Sequence, residues 1–237
     1  MKAFLAAIDA NGQSCADCSV RPFSICASLD KAEMLEFENL SRHTHFSPCE
    51  TVFAEEEIAN SFYNLLEGVM RLYKLLPDGR RQIVGFALPG DFLGMTISGR
   101  NNFSADAITA VEVCRFSKAS FQRFAEDKPH LLRRINDLTI RELALAREHM
   151  VLLGRRSAEE KVASFLVSWR DRLARQHGSS VILPLPMSRQ DIADYLGLTI
   201  ETVSRTFTKL ERDGVIDIIS GGVHLLDTAR AEALAAA

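Results

Sequence analysis

The first half of the chain alternates short apolar runs with turn signals. Between about residues 50 and 116 the runs read VMRLYKLL, RQIVGFAL and ITAVEVCRF, and turn signals such as Pro77-Asp78-Gly79 and Pro89-Gly90-Asp91 separate them. Apolar runs separated by turn signals about every 8 to 12 residues are typical of the strands of an all-β sandwich or barrel. The pattern therefore predicts a β domain in this half.

A long helix is predicted from Pro129 to about Leu153, because the segment between them contains neither Gly nor Pro. Its apolar residues form two stripes, and a helix that is apolar on two faces must be buried on both. One stripe can cover the β domain. The other predicts pairing with the same helix of a second subunit, unless both stripes are buried within one monomer. The predicted dimer seam consists of Ile140, Leu143, Ala146 and Met150.

The C-terminal third predicts a winged helix. Ser188 can begin a short helix that Gly197 ends, and Thr199 can cap a second helix that runs to Asp213. Two short helices joined by a Gly-containing turn form a helix-turn-helix. The hairpin predicted at Gly221-Gly222 then forms the wing. The Ala-rich tail is expected to fray.

The second of these helices carries a candidate DNA-reading face. Ile200, Val203, Phe207 and Leu210 fall on one side and are predicted to be core. Glu201, Ser204 and Arg205 fall on the opposite side, near the end of the helix that enters a major groove. Arg205 can pair with guanine, Glu201 can accept from cytosine N4, and Ser204 can reach a base edge or a phosphate. The alternative is a solvated face with an incidental ion pair.

Composition and charge exclude several classes of function. The 237 residues suffice for two modest domains, and the net charge of −3 provides no global basic field for nucleic acid. The sequence lacks an apolar run long enough to span a bilayer, so no membrane partner is expected. The N-terminal MKAFLAAIDANG lacks the features of a secretory signal, and we expect a cytoplasmic protein.

Four cysteines form a candidate ligand set. Cys15, Cys18 and Cys26 have C-x2-C-x7-C spacing, and Cys114 lies in the predicted strand AVEVCRF, where a cysteine taken alone is more often a buried core thiol. Four thiolates suit an iron–sulfur cluster or a tetrahedral zinc ion. Cys49 has no partner in this pattern and is interpreted as a bystander. The six histidines are scattered, and His43 and His45 are interpreted as surface residues rather than ligands.

These features together resemble the CRP/FNR bacterial transcription regulators, in the order β-roll sensor, dimerisation helix and winged helix. The resemblance implies an α+β protein, with a cysteine-rich arm at 1–28, a β-roll at 29–128, the dimerisation helix at 129–155 and the DNA-binding domain at 156–237. TIETVSR resembles the Glu-x-x-Ser-Arg signature of the FNR branch. That signature implies double-stranded DNA with inverted TTGAT half-sites, four bases apart, as the target of Glu201, Ser204 and Arg205. It also implies RNA polymerase as a partner.

The sensor segment GDFLGMTISGRNNFSADA differs from that of the cyclic-nucleotide-binding members, which use a Gly-Glu pair and an Arg-Ser pair. Met95 follows Gly94, and Phe103 precedes Ser104, so no cyclic nucleotide is expected. The oxygen-sensing FNR proteins instead hold a [4Fe-4S] cluster with an N-terminal cysteine trio and one distant cysteine. The resemblance thus implies a cluster on Cys15, Cys18, Cys26 and Cys114 that favours a DNA-binding homodimer when oxygen is scarce.

Two other functions remain possible from the sequence. One is a regulator of the same fold without a cluster, whose cysteines bind zinc or sense redox state. The other is an enzyme or an electron carrier. The sequence contains no nucleotide-binding glycine loop, catalytic triad or HExxH motif. We therefore expect no enzymatic activity.

Overall fold

The computed structural model describes residues 15–96 and 98–236. The first fourteen residues, on which the predicted absence of a signal sequence depends, lie outside this range. The described chain forms two compact units. One reaches to Leu72 and includes Phe86–Ile140, and the other comprises Tyr73–Gly85 and the chain from Arg141 onward. The four domain boundaries expected from the sequence stay a prediction.

The N-terminal segment consists of three short 3-10 turns and a helix. The turns span Cys15–Asp17, Arg21–Phe23 and Ile25–Ser28, and helix α1 spans Lys31–Leu40. Asp30 caps α1 through the backbone N–H groups of Ala32 and Glu33, and the Glu33 side chain accepts from the Asp30 N–H. This reciprocal pair satisfies N–H groups that a helix start leaves without partners.

The predicted β domain is confirmed as two four-stranded sheets, with strand orders β1-β8-β3-β6 and β2-β7-β4-β5. Strands from both sheets contribute to one apolar core that contains Phe53, Leu65, Met70 and Val113. The strands are β1 (Ser41–Phe46), β2 (Thr51–Phe53), β3 (Ser61–Glu67), β4 (Met70–Leu75), β5 (Arg81–Ala87), β6 (Phe92–Leu93), β7 (Ser104–Ala107) and β8 (Val111–Ser117).

A second core lies on the other face of the first sheet. Val111 and Val113 of β8 belong to the inter-sheet core, whereas Cys114 and Phe116 belong to the second core. The change of side follows from the alternation of side chains along a strand. The second core also contains Phe37 of α1, residues of helix α2 (Lys118–Ala125) and Leu131. The N-terminal segment thus covers this face of the sheet.

The long helix is confirmed as α3, which spans Pro129–Arg155. It continues two residues beyond Leu153, through Gly154, and the next helix, α4, spans Ala158–His177. Ser157 caps α4, and Glu160 completes a capping box. Among the described residues, no helix is long and apolar enough to cross a membrane.

The predicted winged helix is confirmed. Helices α5 (Arg189–Leu196) and α6 (Ile200–Arg212) are followed by the hairpin of β10 (Ile216–Ile219) and β11 (Gly222–Leu225). Strand β9 (Ile182–Pro184) pairs with β11, and the sheet order is β10-β11-β9. The tail that was expected to fray forms helix α7, Thr228–Ala236, and packs against α4.

Candidate nucleic-acid interface and cysteine pocket

The turn between α5 and α6 is built from local signals. The Ser188 hydroxyl accepts from the Asp191 N–H at 3.0 Å and begins α5. Gly197 ends it in the left-handed region at φ 61°, where its N–H donates to the Ala193 carbonyl. A side chain at this position would be strained by the backbone conformation and would contact Leu153 at 3.3 Å. Gly197 therefore sets the angle at which α6 leaves the turn.

Helix α6 is anchored by its apolar face. Val203, Phe207 and Leu210 are at most 1% exposed, as predicted for core residues. Ile200 was also predicted to be core, but it is 37% exposed because it occupies the first turn of the helix. The guanidinium of Arg189 lies over the Phe207 ring, 3.4 Å from its centroid. This contact holds α5 and α6 together.

The opposite face of α6 is exposed and polar. Glu201, Ser204 and Arg205 all point to solvent, as does Thr208 one turn later. Arg205 Nε donates to the main-chain carbonyl of Glu201 at 3.4 Å. Hydrogen bonds from its own backbone N–H and from the Thr199 hydroxyl lower the pKa of the Glu201 carboxyl. At neutral pH the face therefore presents a carboxylate acceptor, a hydroxyl and a guanidinium donor, the groups that read base edges.

Helix α5 is also held by an ion-pair contact that the sequence did not suggest. Arg81 of β5 contacts two carboxylates of α5, Asp191 Oδ1 at 2.6 Å and Asp194 Oδ2 at 2.8 Å. Gln82 Nε2 donates to the Asp194 carbonyl at 2.7 Å. The residues involved are about 110 positions apart along the chain, so no local pattern could have revealed the pairing.

The predicted dimer seam forms an exposed stripe on α3. Ile140, Leu143 and Met150 are 58%, 49% and 63% exposed, and Ala146 is exposed between them. Leu131 and Leu152 of the other stripe are buried. Three large apolar side chains thus lie exposed along the face of α3 where the sequence predicts the dimer seam.

The four cysteines predicted to act together line one pocket, which we call the cysteine pocket. Cys15, Cys18, Cys26 and Cys114 share its wall with Arg21, Asn64 and apolar side chains. All four are reduced cysteines, and Cys26 and Cys114 are buried. Burial raises the pKa of the Cys26 thiol to about 11, despite the hydrogen bond from Ser24 that lowers it. Cys49 is exposed and does not line the pocket.

His43 was interpreted as a surface residue, but its side chain is only 15% exposed. Its Nε2 atom lies 3.5 Å from Cys114 Sγ, and its Nδ1 atom lies 2.6 Å from Glu112 Oε1. No local pattern reveals this contact, because residues 43 and 114 meet only through strand pairing.

In the segment that corresponds to the nucleotide sensor of other family members, the Ser104 side chain makes a hydrogen bond within the β domain. Its hydroxyl accepts from the Glu55 N–H at 2.9 Å, and the Phe103 ring packs against Phe53. The expectation that no cyclic nucleotide binds here stays a prediction.

Comparison with known proteins shows the family. Residues 43–128 match the family described as "Cyclic nucleotide-binding domain", and residues 185–216 match "Bacterial regulatory proteins, crp family". The chain is 70% identical to the nitrogen fixation regulation protein FixK of Bradyrhizobium diazoefficiens, over all of both chains. It is 60% identical to the transcriptional activatory protein AadR of Rhodopseudomonas palustris, over 93% of this chain and 92% of AadR.

The chain belongs to the CRP/FNR family. The solved structure of FixK2 from Bradyrhizobium japonicum is 37% identical and matches with a TM-score of 0.77, covering 83% of this chain and 98% of FixK2. Regulators of this family bind DNA and are dimers. The protein is accordingly a DNA-binding transcription regulator and not an enzyme.

The predicted [4Fe-4S] cluster is wrong. Within residues 15–96 and 98–236, no group of three or more His, Cys, Asp or Glu side chains is arranged to hold a metal ion, and the same finding applies to zinc. The similar proteins FixK and AadR also point away from a cluster. The physical reason is that a cluster or metal ion needs several ligand side chains placed around one point, and the described side chains, the four cysteines included, are not so arranged.

Proposed function

We propose that this regulator binds a DNA inverted repeat with TTGAT half-sites separated by four bases, and that Glu201, Ser204 and Arg205 read the bases. The observation that carries the proposal is the exposure of these three side chains on one face of α6, opposite a fully buried apolar face. Their match to the FNR-branch signature supports the choice of half-site.

We propose that the active form is a homodimer paired through Ile140, Leu143, Ala146 and Met150. The exposed apolar stripe on α3 supports this pairing, since burial of three large side chains is favourable. A two-fold dimer carries two recognition helices about one DNA turn apart, which matches the symmetry of an inverted repeat. The DNA-bound dimer then contacts RNA polymerase in the bacterial cytoplasm.

We further propose that DNA binding responds to oxygen through the redox state of thiols in the cysteine pocket. Membership of a family with oxygen-responsive branches supports the response. The convergence of Cys15, Cys18, Cys26 and Cys114 on one pocket supports thiols as its carriers.

The experiment is a binding titration with a duplex that carries the palindrome, against a duplex with scrambled half-sites. Arg205→Ala should weaken binding to the palindrome by about 1–3 kcal/mol, equivalent to about 5- to 150-fold, and remove the preference over the scrambled duplex. Arg212→Ala is the matched control, because Arg212 is an exposed arginine in the last turn of the same helix. An equal loss for both variants would mean that charge alone drives binding and would contradict base reading.

The dimer and the oxygen response need separate measurements. Met150→Glu should shift the protein from dimer to monomer in analytical ultracentrifugation, because it places charge in an apolar seam. A dimer that persists unchanged would contradict the proposed seam. Exposure of the reduced protein to air should weaken binding to the palindrome, and equal binding before and after would contradict the oxygen response while leaving base reading intact.

A further inference from the structure

A row of polar side chains crosses the centre of the first sheet. Cys114 lies in β8, which is flanked by β1 and β3. Strand register pairs Cys114 with His43 on one side and with Asn64 on the other. Directly opposed residues share a face of the sheet, and so does Glu112, which lies two residues before Cys114. The four side chains therefore meet on the face that the N-terminal segment covers.

Within this row, His43 bridges the thiol and the carboxylate. Its Nδ1 atom lies 2.6 Å from Glu112 Oε1, and its Nε2 atom lies 3.5 Å from Cys114 Sγ. A carboxylate accepts hydrogen bonds, so the Glu112 contact favours the tautomer with hydrogen on Nδ1, and the imidazole in that form directs the lone pair of Nε2 to the thiol. Glu112 thus orients the ring and sets its tautomer.

A thiol against a base that a third group orients is the arrangement of an activated nucleophile. We propose that Cys114 is a reactive thiol that hydroperoxides, such as hydrogen peroxide, oxidise to a sulfenic acid, with His43 as the base and Glu112 as its positioning residue. The inference deepens the proposed oxygen response by naming the thiol and the class of oxidant.

The reaction balances with one hydroperoxide for each thiol. His43 Nε2 takes the proton from Cys114 Sγ, and the sulfur attacks one peroxide oxygen. The S–O bond forms as the O–O bond breaks, so the sulfur loses two electrons and the peroxide gains them. The leaving hydroxide takes the proton from His43 and departs as water, or as an alcohol from an alkyl hydroperoxide. His43 returns to its starting state.

Other groups that line the cysteine pocket can stabilise a sulfenic acid on Cys114. Asn64 is 1% exposed, and among the described residues its Oδ1 atom has no hydrogen-bond partner. Asn64 lines the pocket with Cys114, so Oδ1 can accept the hydroxyl hydrogen of a sulfenic acid. Arg21 also lines the pocket, and its positive charge favours a thiolate and a departing hydroxide. Cys15 and Cys18, which line the same pocket, are only partly buried, so this side of the pocket is the one nearest to solvent.

Cys49 provides an internal comparison for the test. It is exposed and lies outside the pocket, so accessibility alone would make it react faster than buried Cys114. The proposal predicts instead that Cys114 is oxidised faster than Cys49. Freshly reduced full-length protein is treated with hydrogen peroxide, and the remaining thiols are alkylated after denaturation and quantified by peptide mass spectrometry. Cys114 should lose its thiol at least about tenfold faster than Cys49, the scale that a positioned base provides.

Two variants test the roles of His43 and Glu112, and a third is the control. His43→Gln and Glu112→Gln should each slow the loss of the Cys114 thiol at least about tenfold and leave Cys49 unchanged. His45→Gln, at the exposed histidine of the same strand, should change neither rate. Circular dichroism identifies any variant that fails to fold. Because Glu112→Gln is nearly isosteric, it keeps the test decisive if His43→Gln unfolds.

The proposal is overturned if Cys49 reacts as fast as Cys114 in the unaltered protein, or if folded Glu112→Gln oxidises at the original rate. The assay contains no DNA, so its failure is distinct from a failure of base reading. Loss of palindrome binding in air together with an inert Cys114 would assign the oxygen response to another thiol.

Discussion

The recognition face of α6 and the polar row around Cys114 are both sets of polar side chains, but they are assembled in opposite ways. Glu201, Ser204 and Arg205 lie within five residues of one another, and the turn of a single helix brings them together. His43 and Cys114 lie 71 residues apart and meet because β1 pairs with β8 in one register. The first set depends on local geometry, whereas the second depends on a correctly assembled sheet.

The difference has a consequence for variants. Side chains on an exposed helix face can be replaced with little effect on folding, so their replacement isolates function. Side chains in a buried row contribute to packing as well as chemistry, so their replacement needs isosteric substitutions and fold controls. Measurements of stability on buried and exposed side chains test this difference.

The largest expected effect concerns the platform beneath the recognition face. Phe207→Ala should lower the free energy of unfolding by about 3–5 kcal/mol, because it opens a cavity under α6 and removes the ring that Arg189 covers. Arg205→Ala, two residues away on the exposed face, should change stability by less than about 0.5 kcal/mol. Urea unfolding of both variants measures the difference. Similar losses would mean that the two faces of α6 are not energetically separate.

A smaller effect is expected where β5 contacts α5. Arg81→Ala should lower the free energy of unfolding by about 1.5–3 kcal/mol, because Asp191 is nearly buried and would lose a charged hydrogen-bond partner. The control is the preceding residue, Arg80, which is exposed and pairs with exposed Asp78. Arg80→Ala should lower the free energy of unfolding by less than about 1 kcal/mol. Thermal unfolding of the two variants measures the difference, and equal midpoint temperatures would show that the Arg81 contact adds nothing to stability.

The smallest effect is a pH dependence centred on His149. Its ring stacks on Tyr195 with 4.2 Å between centroids, and burial, with the positive charge of Lys161, lowers the pKa of His149 below 6.5. Below pH 6.5 the unfolded chain therefore binds a proton that the folded chain does not, and stability falls as the pH decreases. Above that pH both states are neutral at this residue and the contribution is constant.

Urea unfolding between pH 5.5 and 7.5 checks this sign. His149→Phe keeps an aromatic ring against Tyr195 and removes the titrating group, so its stability should vary less over the same range. Parallel pH profiles for the variant and the unaltered protein would contradict the assignment to His149.

Local signals in the sequence predicted much of the fold and the recognition face. The capping residues Ser188 and Thr199 begin helices where expected, and Gly197 ends α5. These devices act over three or four residues, so they can be recognised without knowledge of the rest of the chain. The short apolar runs likewise predicted the β domain, and the absence of Gly and Pro predicted the long helix.

The cysteines show where sequence reasoning fails. The sequence grouped Cys15, Cys18, Cys26 and Cys114 as one candidate ligand set, and the structure places all four at one pocket. The chemistry inferred from that spacing was wrong, because no group of three or more ligand side chains among the described residues is arranged to hold a metal ion. A histidine that the sequence suggested to be a surface residue contacts Cys114 instead.

The sequence by itself thus determined the β domain, the long helix, the two helices of the helix-turn-helix with their caps, and the polar face of α6, because each follows from interactions between near neighbours. Only the tertiary structure decided that Arg81 holds α5, that His43 and Glu112 meet Cys114, and that the C-terminal tail folds as α7 against α4. These contacts depend on strand register and on packing between distant segments. Their free energy is gained only when the whole domain folds, so no short stretch of sequence encodes them.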